Sequence, residues 1–174
     1  MASSIPYINV EIKARISEHK KIRNILSLHK AEFIGVDHQV DTYFKIPSGR
    51  LKLREGNIEN HLIYYERENN TGPKESKVLL YKHSPGSGLK ELLTKSLGII
   101  AVIDKQREIY FIGNVKFHLD VVEGLGTFME IEAIDKDGII GNEKLLEQCI
   151  YYTTLLGIKN ENMISVSYCD LILV

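Results

Sequence analysis

The stretch Asn9-Val10-Glu11-Ile12-Lys13-Ala14-Arg15 decides how the rest of the chain is read. Side chains alternate across a strand, so Asn9, Glu11, Lys13 and Arg15 share one face while Val10, Ile12, Ala14 and Ile16 share the other. The pattern recurs. Arg50, Lys52 and Arg54 lie opposite Leu51 and Leu53, and Lys105 and Arg107 form a second basic pair. His118 and Asp120 lie opposite Phe117, Leu119 and Val121, and Glu130 and Glu132 lie opposite Met129, Ile131 and Ala133. The chain repeatedly sets charge of both signs on the face opposite an apolar stripe.

Composition narrows the classes. At 174 residues the chain suits a single domain, 1–174, able to bury a core without disulfides or structural metal. Its 22 basic and 23 acidic residues argue against nucleic-acid binding steered by overall positive potential, so any anion site is local. Cys149 and Cys169 lack metal-ligand spacing and lie in apolar segments, which predicts reduced, partly buried thiols. Residues 1–6 show neither a basic region nor an apolar core of a signal peptide, and no apolar run reaches the length of a membrane span. The expectation is a soluble, cytoplasmic protein that uses neither membrane nor nucleic acid.

Patterning and turn chemistry predict the elements. Ser17 can cap a helix to about Lys30, followed by strands at 32–36 and 38–46 and, after Pro47-Ser48-Gly49, a strand from Arg50 to Glu55. A hairpin is expected from His61 to Glu68 and Lys74 to Tyr81. Leu89, Leu92, Leu93 and Leu97 form a helical stripe that Gly98 can end. Strands at 99–112, 115–123 and 127–134, a helix from Asn142 to Leu156 and a short helix over 167–172 complete the chain. His19, His29, His38 and His83 read as solvated.

Roughly eight antiparallel strands with helices to cover their apolar side predict an α+β fold: a closed, eight-stranded β-barrel with helices packed outside and a polar lumen. Lys13, Arg15, Arg50, Lys52, Arg54, Lys74, Lys105 and Arg107 would then outnumber Glu11, Glu66, Asp120, Glu130 and Glu132 inside it. Buried charges require partners, and surplus cations beside a carboxylate cluster suit a polyanion arriving with a divalent metal. Mg²⁺ favours oxygen ligands, a few from carboxylates and others from phosphate, while lysines and arginines neutralise the remaining oxygens.

In this order the motifs resemble the CYTH family of triphosphate tunnel metalloenzymes, which includes class IV adenylyl cyclases, thiamine triphosphatases and inorganic triphosphatases. Asn9-Val10-Glu11-Ile12-Lys13 resembles the family's opening Glu-x-Glu-x-Lys motif apart from its first residue, and Leu51-Lys52-Leu53-Arg54-Glu55 its basic strand. Lys105 and Arg107, Asp120, and Glu130-Ile131-Glu132 match later motifs. Gln39 to Phe44 and Ser167 to Leu171 look most like the class IV cyclase branch. The resemblance implies Glu11, Asp120, Glu130 and Glu132 as metal ligands for Mg²⁺ or Mn²⁺. It implies Lys13, Lys52, Arg54, Lys74, Lys105 and Arg107 as triphosphate-binding, and Glu11, Lys13, Asp120, Glu130 and Glu132 as the catalytic set. It implies ATP, tripolyphosphate or thiamine triphosphate as substrate, with class IV adenylyl cyclase activity as the first expectation, a triphosphatase or a catalytically weak triphosphate sensor as alternatives, and a homodimer as a possible assembly. Asn9 supplies an amide oxygen where the family carries a carboxylate, which puts a full two-metal arrangement in question.

Overall fold

The computed structural model describes residues 6–173, so the reading of residues 1–5 lies outside it. Eight strands, β1 (Tyr7–Arg15), β2 (Glu32–Phe44), β3 (Arg50–Gly56), β4 (His61–Arg67), β5 (Lys74–Lys82), β6 (Ile99–Ile112), β7 (Val115–Val122) and β8 (Gly126–Asp135), form the wall. They close in the order β1-β5-β4-β3-β2-β6-β7-β8, and every neighbouring pair is antiparallel. Closure leaves no free sheet edge. Helices α1 (His19–Leu28), α2 (Leu89–Leu97), α3 (Asn142–Leu155) and α4 (Tyr168–Ile172) lie outside or across one end. No helix among the described residues is long and apolar enough to cross a membrane.

The apolar core sits outside the barrel, not within it. Ile12 of β1, Phe117 and Leu119 of β7, and Met129 and Ile131 of β8 pack beneath Ile22 and Leu26 of α1 and Leu145 and Cys149 of α3. Each such side chain contributes about 1.5–3 kcal/mol on full burial. That outer layer lets the opposite, inward face carry charge. The two thiols are free and buried.

Several boundaries differ from the sequence-based expectation. The two strands predicted over 32–46 are one continuous β2, whose register against β6 shifts between Phe33 and Gly35. Gly35, at φ 149°, absorbs that bulge, and a Cβ there would meet Ile58 at 2.9 Å. Helix α1 starts at His19 without a side-chain cap, so Ser17 does not begin it. Asn142 is already helical, because Asp135 accepts the backbone N–H groups of Gly138 and Gly141 and shapes the turn before it. His19 and His83 are buried rather than solvated, their rings meeting the carbonyls of Phe128 and Arg54. Glu66 and Arg15 are exposed, whereas Arg67 joins the lumen.

Candidate active site

The inward residues converge on a cavity of about 110 Å³, and one end opens toward a cleft of about 1010 Å³ shared through Tyr43 and Arg67. On its basic wall, Asp41 of β2 is the hub. Arg54 grips it with two hydrogen bonds, at 2.9 and 3.0 Å, Lys105 donates at 2.7 Å and Lys52 lies at 3.2 Å. Burial alone would raise the Asp41 carboxyl, but the three cations outweigh it and hold it well below the usual carboxylate range. Register explains the convergence: Asp41 faces Arg54 across one edge of β2 and Ile103, two residues from Lys105, across the other.

The acidic wall is built from β1, β7 and β8. Glu130 receives Lys13 at 2.8 Å, Arg107 at 2.8 Å and the His118 Nδ1 at 3.0 Å. Lys13 and Arg107 overcome the burial that would raise the Glu130 carboxyl and keep it ionised. Arg107 also donates through Nε to Asp120 at 2.7 Å, and Tyr168 donates to the same carboxylate at 2.7 Å. Asp120 therefore spends its oxygens on Arg107 and Tyr168 and stands outside the cluster formed by His118, Glu130 and Glu132. This departs from the expectation that Asp120 is a direct metal ligand. Geometry makes it the residue that orients Arg107.

Glu132 is the least paired of these carboxylates, with His118 Nδ1 at 3.8 Å. Burial raises its pKa, Lys116 opposes, and Glu11 and Glu130 add to the rise, which ends at about 7. A bound cation would reverse that shift, since opposite charge favours the ionised form. Glu11 pairs with Arg67, whose Nε and Nη2 are buried without hydrogen-bond partners. Lys116 and Arg54 both reach Glu59, which enters from the β3–β4 loop.

Lys74 lies elsewhere. Its ammonium donates to the carbonyls of Asn70, Ile164 and Ser165 at 2.9–3.0 Å, which uses all three N–H donors to fasten the C-terminal segment. Geometry thus assigns it to structure and not to the expected triphosphate contact. Arg50 likewise faces the outer cleft, donating to Asp170 at 2.9 Å. Sequence reading missed Asp41, Glu59, Arg67 and Lys116. Lys116 was legible, two residues before His118 on the same face; Glu59 sits in a loop with no periodic signal.

Residues 7–168 match the CYTH domain. The chain belongs to the CYTH family. Its members are adenylyl cyclase-like or triphosphatase enzymes that act on triphosphates with divalent metal. A Methanocaldococcus jannaschii protein named "putative adenylate cyclase" is 30% identical, over 94% of this chain and 98% of its own length. A conserved hypothetical protein of Pyrococcus furiosus superposes with a TM-score of 0.79 at 27% identity, over 94% of this chain and 99% of that one. At 13% identity, a "putative adenylyl cyclase" from Hippeastrum with a dominant triphosphatase activity shares the fold, with a TM-score of 0.58 over 95% and 94% of the two chains.

Within this CYTH lumen, the donors suit a divalent cation. Glu130 and Glu132 supply hard oxygens, and an imidazole nitrogen lies beside them. Asn9, where the family carries a carboxylate, is buried with its Oδ1 unpartnered in the same lumen, two residues before Glu11.

Proposed function

We propose that this protein cleaves a triphosphate in its lumen with the help of Mg²⁺ or Mn²⁺, and that cyclisation of ATP to cyclic AMP and pyrophosphate is its reaction. The observation that carries the reading is Arg67. Its guanidinium lines the passage from cleft to lumen with Nε and Nη2 buried and lacking acceptors, while Nη1 pairs with Glu11. Buried donors of this kind cost about 1–3 kcal/mol each unless an acceptor arrives, and phosphate oxygens match their fork.

Roles follow from position. Lys52, Arg54, Lys105 and Arg107 would neutralise phosphate oxygens along the lumen, with Asp41 and Asp120 holding them in register. Lys13, which also lies 3.6 Å above the Tyr168 ring, would join them from the acidic wall. Glu11, Glu130 and Glu132 would hold the cation. The bound ion supplies charge neutralisation and polarisation of a phosphoryl oxygen. A cavity of about 110 Å³ has room for a phosphate chain, so a nucleoside would occupy the larger cleft beyond Arg67. Positioning and electrostatics would do most of the catalytic work, and no strong nucleophile is required of the protein.

The narrowness of the lumen favours triphosphate hydrolysis as the second reading, because hydrolysis makes no demand on the cleft. The Hippeastrum relative's triphosphatase activity supports it. Product analysis decides. ATP, tripolyphosphate and thiamine triphosphate are each incubated with Mg²⁺ or Mn²⁺ and separated by chromatography. Cyclic AMP with pyrophosphate supports the cyclase reading; ADP or pyrophosphate with orthophosphate supports the triphosphatase. Tight tripolyphosphate binding without turnover of any substrate would overturn both and leave a sensor.

A further inference from the structure

The surroundings of His118 use only part of its ring. The residue is 1% exposed on the inner face of β7, and its Nε2 is buried with no hydrogen-bond partner. A histidine that merely braced the wall would have both nitrogens satisfied, given the cost of a bare buried polar atom. Nδ1 lies 3.0 Å from Glu130 Oε2 and 3.8 Å from Glu132 Oε1. Ligands about 2.1 Å from a metal are roughly 3 Å apart at right angles and farther apart at wider ones, so these separations suit a shared ion. Burial, with Arg107 and Lys116 nearby, pushes the imidazole pKa down to about 3. The ring is therefore neutral at physiological pH and has a lone pair to give.

We propose that His118 is a nitrogen ligand of the divalent cation held by Glu130 and Glu132, making a mixed imidazole–carboxylate centre that favours first-row transition ions over Mg²⁺. The inference rests on the metal-dependent reading above and goes beyond it in naming the ligand that sets ion preference. Mg²⁺ selects oxygen donors, whereas imidazole adds affinity for transition ions. One side chain would thus carry the discrimination.

Pulsed electron paramagnetic resonance on the whole chain loaded with Mn²⁺, with and without tripolyphosphate, tests this directly. The expected result is a ¹⁴N coupling in the native protein that becomes a ¹⁵N coupling on selective [¹⁵N]histidine labelling. It should vanish in His118→Gln and persist in His61→Gln, the other lumen histidine. The Mn²⁺ dissociation constant should rise about tenfold or more in His118→Gln, while that of Mg²⁺, read by competition, moves much less. If His118→Gln does not fold, the labelling result decides alone. Mn²⁺ bound without histidine coupling would overturn the nitrogen ligand and leave the metal-dependent reading standing. Failure of the native protein to bind Mn²⁺ or Mg²⁺, even with tripolyphosphate, would overturn both.

Discussion

Tyr168 donates a 2.7 Å hydrogen bond to Asp120, joining the C-terminal helix α4 to the inner wall of the barrel. The same ring lies edge-on to Phe128 and beneath the ammonium of Lys13. A single aromatic side chain therefore closes one end of the lumen, steadies the carboxylate that orients Arg107 and contacts a lysine assigned to phosphate. Its phenol is held above the ordinary range chiefly by burial, then by the Asp120 charge, so it stays a donor at neutral pH.

Tyr168→Phe should therefore lower stability by about 1.5–3 kcal/mol, the range for a hydrogen bond to a charged group, because the ring contacts remain. Tyr168→Ala should cost more, on the order of 3–5 kcal/mol, through the cavity it leaves. Urea denaturation of chelator-treated protein separates the two. A Phe variant as stable as the native chain would show that the bond adds nothing.

Asp120 and Glu132 offer a direct contrast. Asp120 is spent on Arg107 and Tyr168, whereas Glu132 has only His118 nearby among its ion pairs. Titration calorimetry with Mn²⁺ should show a dissociation constant raised about tenfold or more by Glu132→Gln, as loss of a charged ligand requires, and changed only a few-fold by Asp120→Asn. Equal losses would return Asp120 to the ligand set.

How much was legible follows from which residues alternate. The barrel, its closure and the charged inner stripe were readable because β1, β3 and β8 place polar and apolar residues in strict turn. On β4 the inward face carries Ile63 and Tyr65 before Arg67, so the lumen side resembles a core face and Arg67 escaped notice. Asp41 was seen only inside a motif, since its role depends on β2 lying between β3 and β6, which local sequence does not specify. The fates of Lys74 and Asp120 depend on the C-terminal segment folding back, a contact spanning 90 residues in one case and 48 in the other.

Glu132 gives the lumen a pH signature. Its folded pKa, about 7, exceeds the ordinary 4.5. A group raised on folding stabilises the fold fully below its unfolded value, and that stabilisation is lost as pH rises through the folded one. Metal-free native protein should lose this contribution between roughly pH 4.5 and 7, and Glu132→Gln, which cannot ionise, should not. The variant should melt above the native chain at about pH 8 and close to it at about pH 5, both in chelator. Glu130 and Asp120 are shifted the opposite way and lose stability at low pH in both proteins, so they largely cancel in the comparison. An unchanged difference across this range would refute the elevated Glu132.

Lys52 is the cation best placed to leave its partner for a phosphate. Asp41 retains two contacts from Arg54 and one from Lys105 when Lys52 is removed, and Lys52 approaches no nearer than 3.2 Å. Lys52→Met should therefore change the stability of the ligand-free protein by less than about 1 kcal/mol, whereas losing Arg54 or Lys105 would strip a fully buried carboxylate of a close partner. With Mg²⁺ and tripolyphosphate at about one hundred times the native dissociation constant, the native fold gains roughly 2.7 kcal/mol. A lost charge-assisted contact weakens binding by about tenfold or more, which cuts that gain by about 1.4 kcal/mol. Thermal melts with and without ligand measure both quantities at once. A Lys52→Met protein that keeps the full ligand-induced shift would remove Lys52 from the phosphate wall.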